Sequence, residues 1–189
     1  KGTLRLNGTN ILRTGTFNVA EGAILDLGGS NTISGVWTGE VNGKLFLNGT
    51  DTVAENITIT NQILGNGITM NSGYVSGAGT FLNKSIFTAG TNGSKYFTIA
   101  NFENEGIFNL GEGSNLNAFI YFSNNTIFSN QLAGVLNIDG LAFYNNGAHS
   151  VVNKGLLKKI GNYEKTLPIT LINEGTIQAE EGGLVLSGP

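Results

Sequence analysis

The sequence predicts an all-β chain wound as a single-stranded, parallel, right-handed β-helix, or β-solenoid, of about nine coils. Three observations lead there. A Leu-x-Leu-x-Gly unit recurs at intervals of 20 to 21 residues, as Leu4, Leu6 and Gly8, then Leu25, Leu27 and Gly29, then Leu45, Leu47 and Gly49. A related unit fills the second half, with an apolar residue two before an Asn and an apolar pair three and four after it. Finally, 29 glycines and 26 asparagines against two prolines and one Trp describe short strands joined by tight turns, because Gly and Asn tolerate left-handed backbone angles. A repeat of this length cannot close a core of its own, so copies must stack to bury their apolar face.

Within the first unit the alternation has period two, so Leu4 and Leu6 face inward and Arg5 faces water, sharing an outer column with Asp26 and Phe46. Ile11, Ile33 and Val53, spaced 22 and 20, suggest a further strand, giving about three short strands per coil and a triangular or L-shaped rung. Five copies of the second unit align on Asn83, Asn104, Asn124, Asn153 and Asn173, with spacings of 21, 20, 29 and 20. The 29-residue interval predicts a bulged coil near 130–150. It contains GVLNIDG at 134–140, which matches the opening motif. The five asparagines are expected to form a structural ladder, their amides bonding coil to coil. Phe81, Phe102 and Phe122, and likewise Phe87, Phe108 and Phe128, are expected to form two inward aromatic columns.

Composition narrows the function classes. With no cysteine there is no disulfide framework and no thiolate chemistry. A net charge of −3, with eight Lys and two Arg scattered along the chain, lacks the basic stripe that nucleic acid requires. No apolar run approaches a membrane span, so direct membrane insertion is not expected, and no signal peptide is visible. The 189 residues read as one solenoid domain, an excised segment of a longer protein, because repeats run to both ends. Ends of that kind invite end-to-end self-stacking.

For catalysis the chain offers little. Asp26, Asp51 and Asp139 are read as isolated in separate turns, His149 as a loop residue, and Glu103 with Glu105 as a solubility pair rather than a catalytic one. No catalytic residue, metal site or cofactor is proposed. Lys84 with Glu105, and Lys154 with Glu174, place opposite charges on adjacent coils. Tyr96, Tyr121 and Tyr144, spaced 25 and 23, suggest an outward column of rings able to contact a glycan.

The Gly-x-Leu-x-Leu-x-Gly repeats, together with Asn-x-Gly units such as FENEGIF and LINEGTI, resemble the β-solenoid regions of bacterial surface adhesins. They are similar to filamentous-haemagglutinin-like proteins and autotransporter passenger repeats across essentially all 189 residues. That resemblance implies a secreted or surface-displayed, non-enzymatic segment that mediates adhesion or serves as a stalk. Its partner would be a host or environmental surface receptor or glycan, and no cofactor is implied. The alternative is a carbohydrate-active β-helix that binds a polysaccharide or, as lyase or hydrolase, cleaves one.

Overall fold

A computed structural model describes the chain except for residues 91, 112–118, 123–125, 141, 146–149 and 189, with only the backbone described at 60–62 and 142–145. The chain is all-β, wound as a parallel solenoid of about eight turns against the nine predicted, and no helix occurs among the described residues. Each turn contributes to three faces. Face 1 is a nine-stranded parallel sheet that begins with Thr3–Arg5, Ile24–Leu27 and Lys44–Leu47 and ends with Leu156–Lys159 and Thr176–Ala179. Faces 2 and 3 are made by the rest of each turn. In the middle rungs one long strand, such as Ser30–Val41 or Lys95–Asn104, bends to supply both, with register shifts at Ile33/Gly35 and Ile99/Asn101.

The opening motif is explained by this winding. Leu4, Leu25 and Leu45 stack in register on the inner side of face 1, and the column continues through Ile68, Phe87, Phe108, Leu136 and Leu157 to Ile177. Leu136 lies within GVLNIDG, so the likeness of that segment to the opening motif was a likeness of position. Leu27 sits beside Leu47, and both are fully buried. The glycine that follows each Leu pair marks a corner where rungs touch through backbone. A Cβ on Gly29 would lie 2.1 Å from the Gly8 carbonyl oxygen, and one on Gly49 would lie 2.0 Å from that of Gly29. No side chain fits at such a contact.

Two expected registers are corrected. Ile11 pairs with Thr32 and points outward, 68% exposed, while Leu12 aligns with Ile33 and Val53 inside. The first interval is 21 residues rather than 22, and a slip of one residue reverses the face in a strand. In the second half Phe128, not Phe122, lies beside Phe102. The stacked column is Phe81, Phe102 and Phe128, with centroids 5.0 and 5.2 Å apart. Phe122 lies instead against Phe97 on face 2, at 5.2 Å, and Phe87 and Phe108 are followed by Leu136. The extra residues of the long coil therefore fall one rung earlier than the spacing implied. These rings and the aliphatic columns form one continuous core along the axis. Each fully buried large side chain contributes about 1.5–3 kcal/mol of burial.

Candidate functional site

The inward column of face 3 runs Trp37, Ile59, Asn83, Asn104, Asn130, Asn153 and Asn173. Each Asn closes a strand just before a corner. From Asn83 onward the amides form an unbroken chain, each Nδ2 donating to the next Oδ1. The distances are 2.8 Å to Asn104, 2.8 Å to Asn130, 2.8 Å to Asn153 and 2.7 Å to Asn173. The second amide hydrogen is taken by carbonyls of the following turn, as when Asn104 Nδ2 donates to Gly106 O at 3.1 Å. Asn124 lies outside the described residues, and the slot between Asn104 and Asn153 is filled by Asn130. Donors aligned in one direction polarise one another, which strengthens the chain.

A second ladder, not foreseen from the sequence, occupies the inward column of face 2 at the other end of the rod. Asn10 Nδ2 donates to Asn31 Oδ1 at 2.9 Å, and Asn31 Nδ2 donates to Asp51 Oδ1 at 2.7 Å. It stops there, because the next inward residue is Val75. Asp51 is fully buried, and its Oδ2 has no hydrogen-bond partner among the described residues. Burial pushes its carboxyl up to about 7, with the Asn31 amide pulling weakly the other way. Asp51 is thus not a turn residue. Nor is Asp26, which lies in a face 1 strand, paired with Arg5 at 2.8 Å and accepting from Asn48 Nδ2 at 3.1 Å.

Two fully buried lysines also escaped the sequence reading. Lys95 Nζ donates to the carbonyls of Gly90, Asn92 (3.0 Å) and Gly93 (2.8 Å), and burial lowers its pKa to about 8. Lys159 Nζ does the same at a lower corner, donating to Ile160 O, Gly161 O (2.7 Å) and Glu181 O (3.4 Å), and desolvation lowers its pKa as well. In both cases an ammonium ion fills the hollow of an outward loop and satisfies carbonyls that would otherwise be stranded. The signal was a Lys at a strand position where alternation calls for an inward residue.

The outward side of face 2 carries the tyrosines. They are Tyr74, Tyr96 and Tyr121, in register, and the backbone of Tyr144 pairs next to Tyr121. Tyr74 and Tyr96 stack with centroids 4.5 Å apart, and Tyr96 and Tyr121 with centroids 4.6 Å apart, both at 11° between planes. Tyr74, 22 residues before Tyr96, fits that spacing but was not read into the column. The stacking has a chemical consequence. Ring faces are spent on one another, and edges and hydroxyls are what face water. Sugars pack their apolar C–H side on ring faces, so this column offers a glycan hydrogen bonds more than a platform.

The remaining candidates are placed separately. Lys84 pairs with Glu105 at 2.8 Å, whereas no ion pair joins Lys154 and Glu174 among the described residues. Glu103 lies on the outer side of its strand and Glu105 in the turn, and His149 is outside the described residues. Among the described residues no group of three or more His, Cys, Asp or Glu side chains converges on a point, and no helix is long and apolar enough to cross a membrane. No protein-family model, curated protein or solved structure matches the chain.

Proposed function

We propose that this chain is a non-enzymatic structural and adhesive segment of a secreted or surface-displayed bacterial protein, a rod that holds its outer faces at a fixed spacing. The observation that carries this reading is the internal bracing. Two amide ladders and a continuous core tie rung to rung, while two buried ammonium groups brace the outward loops, Lys159 also reaching Glu181 O of the next turn. Outer columns such as the stacked tyrosines then repeat at the inter-strand distance, about 4.8 Å. A surface of that kind suits contact with an extended receptor or glycan.

The test is direct. Beads coated with the chain are presented to epithelial cells and to polysaccharide-coated surfaces, beside beads carrying an unrelated protein of similar charge. Selective attachment to at least one surface is expected. Attachment no better than the control overturns the adhesive reading. Release of reducing ends or unsaturated uronates from the same polysaccharides overturns the non-enzymatic one and favours the alternative, a polysaccharide-cleaving β-helix.

A further inference from the structure

We infer that a groove on the outer side of face 1 is an oligosaccharide-binding site, an inference that rests on the adhesive reading and names the ligand class for it. The floor is the outward column Phe46, Thr69 and Thr88, three rungs in register. The corner carrying Lys44 forms one wall, and Asn71 stands in the opposite one. The groove encloses about 550 Å³, within the range of small-molecule sites. It runs along the rod axis for about 10 Å, two inter-strand spacings, which suits a short chain better than a single ring.

Some polar groups of the lining are already engaged: Asn66 Nδ2 donates to Asn42 O at 3.1 Å and Gly43 O at 3.0 Å, and the Thr88 hydroxyl accepts from Asn109 Nδ2 at 3.4 Å. Phe46 is half-buried between Asp26 and Thr69 in the outward column and, unlike the tyrosines, stacks on no other aromatic ring among the described residues, so its exposed part is available to a ligand. The Thr69 hydroxyl and the Asn71 side-chain amide make no hydrogen bond among the described residues, while the backbone of Asn71 is fixed by Asn48 Oδ1 accepting from its N–H at 3.0 Å. Gly90 makes room for that amide. A Cβ there would lie 2.3 Å from Asn71 Oδ1. Among the described residues of the lining Lys44 carries the only formal charge, which argues against a polyanion. A sugar chain matches what remains, since it presents an apolar C–H face to the ring and hydroxyls to the amide and the threonine.

The experiment is calorimetric titration of the 189-residue chain with a panel of neutral and uronate-containing oligosaccharides. Binding to at least one is expected. Phe46→Ala should weaken it about tenfold, the scale of one aromatic contact. Asn71→Ala should weaken it less, and Gly90→Ala, which displaces the amide and leaves the ring in place, should match Asn71→Ala. Thermal unfolding of each variant separates lost binding from lost fold, and Gly90→Ala with Asn71→Ala keeps the test open should Phe46→Ala fail to fold. The inference fails if no oligosaccharide binds, if the folded groove variants bind like the parent, or if binding is lost in Tyr96→Ala and retained in Phe46→Ala. Sugar binding in the groove by a chain whose beads do not attach to surfaces would overturn the adhesive reading while leaving the site in place.

Discussion

Asp51→Asn is expected to stabilise this protein at neutral and alkaline pH, and the size of the effect can be worked from the site. The carboxyl is fully buried at the end of the Asn10 and Asn31 ladder, with one oxygen unpartnered among the described residues. Burial raises its pKa from 3.8 to about 7. The folded state therefore holds a proton that the unfolded state has released, and stability falls as pH rises between these values. At about 1.4 kcal/mol per pH unit, the loss approaches 4 kcal/mol above pH 7 and vanishes below about pH 4. Asparagine carries no charge at any of these values, keeps the acceptor for Asn31, and extends the ladder by one amide. Urea unfolding of both proteins at half-unit steps from pH 4.5 to 7.5 measures the difference, and that range stays below the Lys95 value of about 8. The midpoints should lie close together at the acid end and diverge steadily towards pH 7.5, with the variant more stable. A parent midpoint that does not fall relative to the variant over this range, or a variant less stable at pH 7.5, would refute the reasoning.

The other ladder should be costly to break. Asn104→Ala strands the Asn83 donor and the Asn130 acceptor inside the rod, and at about 1–3 kcal/mol for each unpaired buried group it should lower the urea midpoint far more than any surface change. Lys95→Met should destabilise at pH 7 despite removing a desolvated charge, because three loop carbonyls lose their donor. Hydrogen exchange at 93–95 should speed up selectively. Glu105→Gln removes an exposed ion pair with Lys84 and should shift stability by less than about 1 kcal/mol, an effect that salt should erase. Gly49→Ala places a methyl 2.0 Å from the Gly29 carbonyl oxygen and should prevent native folding, read as loss of the far-UV β signal or of soluble protein.

Much of the architecture was legible in the sequence. The Leu-x-Leu-x-Gly spacing located face 1 because a column of inward leucines ending at a backbone-on-backbone corner leaves one choice of residue at each position. The asparagines also stood out, since a primary amide carries a donor and an acceptor on opposite sides and can both donate to and accept from identical neighbours above and below it. Register was less legible where intervals varied. Phe122 and Phe128 each stand two before an Asn, but only Asn124 has an apolar pair three and four later; after Asn130 the pair, Val135 and Leu136, comes at five and six, so the local pattern pointed to the wrong Phe as the one that follows Phe102. The same holds for Ile11 and Leu12. For the candidate sites, tyrosine spacing pointed to an outward column but carried nothing about ring stacking, and Phe46 was read only as a member of Arg5's outer column.

The amino-acid order by itself determined that this chain winds, the usual length of a turn and that Leu, Phe and Asn columns line much of its interior, because periodicity is a property of neighbours along the chain. Only the stacked rungs decided where a buried Asp ends an amide ladder, where lysines plug corner loops, and which rings stack on one another. Those properties belong to residues some twenty positions apart that meet through the winding, and burial, electrostatic environment and ring exposure are set by that meeting.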